Sequence, residues 1–403
     1  MDFKKELSIM WKFYLITILD ALQLLSGSVF ILYLYTIGFS TTSLGIIFAL
    51  MSVIRIIFEI PTGVVADVFG RKISTIISYI IILFQIIIYY FTQNHLWIII
   101  ALLVYSFGFT FKSGASDAWR IDCYLHGGNK KYLNRVISRN TLIYTIAGFL
   151  ANIFASTILL IFEPIYGFVN SVKFMFLIEI ILMILLIIVA FFTSEPYFKK
   201  KKIKLYFANS IKESRIMIKE SFNEIKINKK LFLIFTASFV FILGSYAAQE
   251  GAQIHFTDNN INSSYFGIIY GIGFIFSSLA LMFSEKITKK FGIKKLILYS
   301  STILFFIYLL FGFNFGWFLV PILLLMFFFW DLLMNNVSIK LNEIIPPKLR
   351  ATILSFKGIT DVIPTILSQV FLFGLIGTYF SMSYALIFSS FFILASIFFF
   401  KKI

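Results

Sequence analysis

Apolar residues in this chain fall in long unbroken runs, neither alternating as in a half-buried strand nor spaced as on the one apolar face of a surface helix. The runs lie at 13–36, 43–66, 73–92, 96–119, 138–161 and 170–193, and again at 230–252, 263–284, 296–313, 316–340, 351–376 and 380–400. Each is long enough for a helix to cross roughly 30 Å of hydrocarbon. The pattern predicts twelve spanning helices in two sets of six. Between the sets, residues 197–229 open with Phe198-Lys199-Lys200-Lys201-Lys202 and continue as a mixed-charge amphipathic stretch, too polar to span. The expected organisation is an all-α membrane protein with an N-terminal six-helix bundle at 1–196, a cytoplasmic linker at 197–229 and a C-terminal six-helix bundle at 230–403.

Composition agrees, since 60% of the residues are hydrophobic and 13% charged, against about 25% charged in a typical soluble domain. The net charge of +16 would point to nucleic acid if the basic residues formed a stripe. They do not. With a cytoplasmic N-terminus, Lys4, Lys5, Lys12, Arg71, Lys72, Lys130, Lys131, Arg135, Arg139, the lysines of 199–230 and those after the eighth, tenth and twelfth runs all fall on the inner side, and Lys173 alone is clearly outside. Cytoplasmic connections collect Lys and Arg during insertion, so the bias predicts both termini inside a bacterial plasma membrane and removes nucleic acid as a partner. The first run contains Asp20 and no A-x-A cleavage site, so it reads as a retained span and not as a signal peptide. The single cysteine, Cys123, offers no disulfide framework, and no metal or cofactor site is expected.

Between the second and third runs stands Glu59-Ile60-Pro61-Thr62-Gly63-Val64-Val65-Ala66-Asp67-Val68-Phe69-Gly70-Arg71-Lys72, read as a short loop joining two antiparallel helices. Gly63 allows close helix approach, Gly70 a tight reversal, and Asp67 is spaced to pair with Arg71. The segment resembles the loop between helices 2 and 3 of the major facilitator superfamily, whose G-x-x-x-D-(R/K)-x-G-R-(R/K) pattern is met by Gly63, Asp67, Gly70, Arg71 and Lys72, with Val68 departing from it. The stretches Lys112–Asp122 and Leu341–Thr352 also look like members of that superfamily, especially its export-type, multidrug-efflux-like branches, and Lys289–Lys295 reads as a decayed copy of the first motif at half-chain spacing. The resemblance implies two pseudo-symmetric six-helix bundles, a central cavity lined by helices 1, 4, 7 and 10, and a conformational latch in which Asp67 meets the start of helix 11 and Arg71 bridges to Asp122.

An ionisable residue in mid-membrane costs about 2.5–3.5 kcal/mol on insertion scales, so each one needs a partner or a wet path. Asp20, with Gln23 on a nearby face, is a candidate coupling carboxylate. Lys112 and Asp117 are candidates for solute recognition or for pairing with Asp20. Arg55 and Glu59 are four apart and spaced to pair, Lys357 and Asp361 likewise, and Asp331 with Asn335 offers a polar patch. Glu179 reads as peripheral packing, Gln249 and Glu250 as the end of helix 7, His255 as a lone loop histidine, and Trp119 and Trp330 as interface anchors or packing. The functional expectation is a monomeric secondary transporter that moves a small-molecule solute by alternating access, coupled to protons or sodium, with lipid as its surroundings. Proton-coupled efflux of a lipophilic or amphiphilic compound is preferred to import of a nutrient. No nucleophile setting or His/Asp/Glu cluster supports an enzyme.

Overall fold

The computed structural model describes residues 3–128, 130–196, 219–346 and 349–403; the lysine run of the linker and Pro347-Lys348 lie outside the described residues. Eleven helices among the described residues are long and apolar enough to cross a membrane. The first apolar run is the exception to the expected twelve. It is divided into α1 (Phe3–Leu22) and α2 (Phe30–Thr36) by turns over residues 23–29. The amides of Gln23, Leu24, Leu25 and Gly27 bond three residues back, to Asp20, Ala21, Leu22 and Leu24, which tightens the chain out of α-geometry. The Ser26-Gly27-Ser28 sequence favours this, because serine hydroxyls compete for backbone groups and glycine resists helix.

Two compact units result, one of Met1–Tyr33 with Val53–Ile211 and one of Leu34–Ser52 with Lys212–Ile403. Residues 34–52 therefore group with the later part of the chain, and α3 (Thr41–Phe69) begins in one unit and ends in the other. The first unit contains α4 (Arg71–Phe91), α5 (His95–Lys112), α6 (Ala115–Gly127), α7 (Leu133–Tyr166) and α8 (Phe168–Phe191). The second contains α9 (219–227), α10 (Lys229–Asp258), α11 (Phe266–Phe291), α12 (Ile293–Phe311), α13 (Leu319–Ile344), α14 (Arg350–Leu367), a π-helical stretch Ser368–Ile376, α15 (Gly377–Tyr379) and α16 (Met382–Phe400).

The helices obey the rule that backbone groups in hydrocarbon must be satisfied within their own segment. Side chains sort accordingly. In α4, Ser74, Ser78, Gln85 and Tyr89 are buried together with Ile82 and Ile86, while Ile80, Phe84 and Phe91 are exposed, so the polar residues face the neighbouring helices and the outward face is apolar. The Glu59–Lys72 segment is not a loop. Helix α3 runs through Pro61, Gly63 and Asp67 as far as Phe69, and the chain reverses at Gly70 alone, whose φ of 108° suits glycine. The fourth run is likewise interrupted: Ser113 and Gly114, the latter with φ 69°, separate α5 from α6 just after Lys112.

In the second unit, Asn336 is fully buried and joins α13 to α11, its amide donating to Leu332 O at 2.7 Å and Ser284 Oγ at 3.3 Å while its Oδ1 accepts from Thr288 Oγ1 at 2.8 Å. Asn336→Leu is expected to lower stability by about 1 kcal/mol, the size of an interhelical hydrogen bond in a membrane. The check is a lower Tm in thermal unfolding of the detergent-solubilised protein.

Candidate functional site

The first unit holds a cavity of about 470 Å³ lined by Thr17, Asp20, Lys112, Asp117, Arg120 and Asn140, among others. Asp20 stands in the last turn of α1 and Lys112 ends α5, so the two helix ends that the chain breaks at residue 23 and at Gly114 deliver opposite charges to one place. Lys112 Nζ donates to both carboxylate oxygens of Asp20, at 2.5 and 2.6 Å, and sits 5.6 Å from the centre of the Tyr79 ring. Asp117 turns away. It pairs with Arg120 one turn along α6 and is largely exposed. Gln23 does not share the face of Asp20, because the chain has left α-geometry there. Its amide, oriented to suit both contacts, lies against α8 at Glu179 O (3.3 Å) and Met183 N (3.2 Å).

The second unit holds a cavity of about 310 Å³ between α10, α11, α12 and α13. Tyr270, Tyr308, Phe327 and Trp330 line it, with Gln249, Ser277 and Asp331 supplying polar groups. Ser277 Oγ donates to Asp331, and no cation pairs with that carboxylate among the described residues. Trp330 Nε1 is enclosed without a hydrogen-bond partner. Trp330 is thus a cavity residue and not an interface anchor, and Gln249 lies inside α10, which continues to Asp258. Asn335 is not part of this patch, since its amide donates to Ser284 Oγ on α11 at 2.8 Å. His255 is helical and fully buried, with its ring 5.4 Å from that of Phe311, and is not a loop residue.

A third cluster gathers around Arg71. Its guanidinium pairs with Asp122 of α6. The Glu195 carboxylate caps α4, accepting from Arg71 N at 2.9 Å and Lys72 N at 3.3 Å, as suits an acid at a helix N-terminus. Burial pushes the Glu195 carboxyl above its usual range, against the opposing pull of the two amides and of the Arg71 and Lys72 charges. Lys72 Nζ donates to Phe191 O at 2.6 Å, and Trp119 Nε1 to Ser194 O at 3.2 Å, tying α4 and α6 to the end of α8. Trp119 is buried, 5.0 Å from Phe13. Asp67 is exposed and makes no ion pair with Arg71 among the described residues. Gly63 is exposed, and a methyl group placed on it would meet no neighbouring helix within 4 Å, so no close helix approach depends on it. Arg55 and Glu59 do not pair either: the guanidinium lies 4.8 Å from the Phe109 ring, and Glu59 accepts from Ser113 Oγ at 2.9 Å. Lys357 and Asp361 do pair, at 2.5 Å to Oδ2.

The Major Facilitator Superfamily model matches residues 13–368, most of the chain. The chain belongs to the major facilitator superfamily. It is 23% identical over 363 residues, 88% of this chain and 86% of the other, to the uncharacterized MFS-type transporter YxaM of Bacillus subtilis (strain 168). Among solved structures it is similar to a point mutant of the nucleoside transporter NupG, with TM-score 0.77 and 17% identity over 97% of this chain and 99% of that one. A bacterial homologue of the iron transporter ferroportin, in an inward-facing state, gives TM-score 0.76 and 12% identity over 100% and 99%. A D-xylose-proton symporter gives 0.63 and 15% over 96% and 97%. The protein is therefore a multi-pass membrane transporter of this superfamily.

Several residues at these sites escape sequence reasoning. Glu195 follows the sixth run with nothing local to mark it, and its partners lie 123 and 124 positions earlier. Glu6, 2% exposed, receives Tyr14 Oη at 2.6 Å and pairs with Arg139 across 133 positions. Glu179 is 3% exposed and so is not peripheral.

Proposed function

We propose that the protein exports an amphiphilic organic compound bearing a positive charge or strong donor, in exchange for protons, by alternating access from a bacterial plasma membrane with both termini in the cytoplasm. The observation that carries this reading is the second-unit cavity, where one carboxylate, Asp331, with a serine as its hydrogen-bond donor, stands among Tyr270, Tyr308, Phe327 and Trp330. Aromatic faces attract cations, the carboxylate supplies the countercharge, and the volume falls within the range of about 300–1,000 Å³ usual for small-molecule sites. Import of a neutral or zwitterionic nutrient is the second reading. It is supported by the Asp20–Lys112 pair, which presents both signs of charge in the first-unit cavity.

Proteoliposomes with an imposed pH gradient separate the two. Tetraphenylphosphonium or ethidium should release protons through the protein, with Asp331→Asn raising KM roughly tenfold, the loss of one desolvated charge contact. If uridine or D-xylose moves protons and neither cation does, the export reading fails and the import reading stands.

A further inference from the structure

Glu179 lies near the middle of α8, within a span of mean hydropathy 3.2, and its side chain is almost wholly enclosed. Its two oxygens face the break in the first apolar run: Ser26 N donates to Oε1 at 2.8 Å and Ser26 Oγ to Oε2 at 3.1 Å. No cation reaches it among the described residues. Tyr89 of α4 lies within electrostatic reach of Glu179, as it does of Tyr33 on α2 and Tyr105 on α5, and stands beside Gln85. From α2, Tyr33 packs edge-on 5.3 Å from Phe176 of α8. From α1 the neighbour is Gln23, with Asp20 one turn earlier already committed to Lys112. The charged residues of α7, Arg135, Arg139 and Glu163, stand near its two ends. Lys173 on α8 itself is six residues away and on a different face.

We infer that Glu179 is a proton-binding pin on the broken first span: ionised, it holds residues 23–29 firmly through Ser26, and on taking up a proton it loosens its hold on that segment. The reason is the strength of the two bonds. A carboxylate accepts both donors with its full charge, and charge-assisted hydrogen bonds are roughly twice as strong as neutral ones. Once Glu179 takes a proton, its free oxygen still accepts from the Ser26 amide and the Ser26 hydroxyl can rotate to accept the new O–H, but both bonds then join neutral groups and hold the turn less firmly. The helix break is what exposes that amide, and Glu179 is what satisfies it in a place without water. The position matters because the chain passes from the first compact unit to the second between Tyr33 and Leu34, only a few residues beyond the pinned turns. A proton on Glu179 would thus loosen the covalent strand that enters the second unit. This would couple proton uptake to the motion of one unit against the other. That coupling role rests on the transport function proposed above. The pin itself does not, and its test needs no solute, so failure of one is distinguishable from failure of the other.

The test is amide hydrogen exchange of the full-length protein in nanodiscs, followed by mass spectrometry of peptides covering residues 23–29, across about pH 5 to 9 after correction for intrinsic rates. In the wild type, exchange in this segment should slow roughly tenfold or more from the acid to the alkaline limit, the effect of regaining hydrogen bonds to a charged acceptor. Glu179→Gln should remain at the fast limit at every pH, while peptides of α12 stay protected and report an intact fold. Glu179→Asp should keep a pH dependence with a shifted midpoint. Ser26→Ala, which keeps the amide donor and removes the hydroxyl, should reduce its amplitude. A wild-type segment whose protection ignores pH overturns the proposal whether or not the variants fold. So does a Glu179→Gln protein that retains the wild-type profile.

Discussion

Lys112→Met is expected to destabilise the protein by about 2 to 4 kcal/mol, because it leaves the Asp20 carboxylate in the first-unit cavity without its countercharge. Both side chains are only 21% exposed, and the ammonium contacts both oxygens, so water replaces the lost partner poorly. The reverse change, Asp20→Asn, strands the ammonium and should be similarly harmful. Removing both charges together should recover most of the loss, since a buried pair contributes little beyond what an apolar substitute gives. The measurement is a double-mutant cycle on thermal or denaturant unfolding in detergent micelles. Additive losses would mean that the two residues do not depend on each other. The same variants test coupling: if Asp20→Asn/Lys112→Met still moves solute with an unchanged pH profile, the pair is structural and proton binding resides elsewhere.

Reversing the charge at residue 71 should act on rate and not on affinity. The Arg71–Asp122 pair is about one-third exposed on each side, so solvent screens it and its contribution to bulk stability is small. Its position is what gives it weight, since Arg71 opens α4, Asp122 stands on α6, and Glu195 caps the same helix start from beyond α8. Arg71→Glu would set three carboxylates, Asp122, Glu195 and the new one, against each other at that junction. The expected result is transport slowed roughly tenfold or more with solute affinity little changed, the signature of a lost conformational contact rather than a lost binding contact. Arg71→Asp/Asp122→Arg should restore much of the rate. A pure rise in KM with the maximal rate intact would exclude a latch at this place.

Pairs expected from spacing alone fare unevenly. Arg55 and Glu59 satisfy the four-residue rule on α3 and still choose other partners, the Phe109 ring and Ser113, both on or next to α5. Lys357 and Asp361 satisfy the same rule and pair. Helical spacing makes a contact available, and a neighbouring helix then competes for it. Asp122 was reachable through the family motif, whereas Glu195 and Glu179 carry no motif and meet their partners across more than a hundred residues.

What the sequence determined by itself is the number and order of the apolar runs, and the family. Hydrocarbon demands about twenty consecutive apolar residues per crossing and leaves few alternatives to a helix, so the runs can be counted without knowing any contact. The reversal at Gly70 and its charged neighbours could be located for the same local reason. The tertiary structure decided which of the weak helix formers break a span and which of the candidate charges meet. The interruption at residues 23–29 depends on a carboxylate 153 positions away that receives the freed amide, and the Asp20–Lys112 pair joins two helix ends 92 positions apart. Such partners are chosen by packing between helices: Lys112 and Asp117 are both candidate partners of Asp20 in the sequence, and only the assembled helix ends select Lys112, while nothing in the sequence joins Ser26 to Glu179.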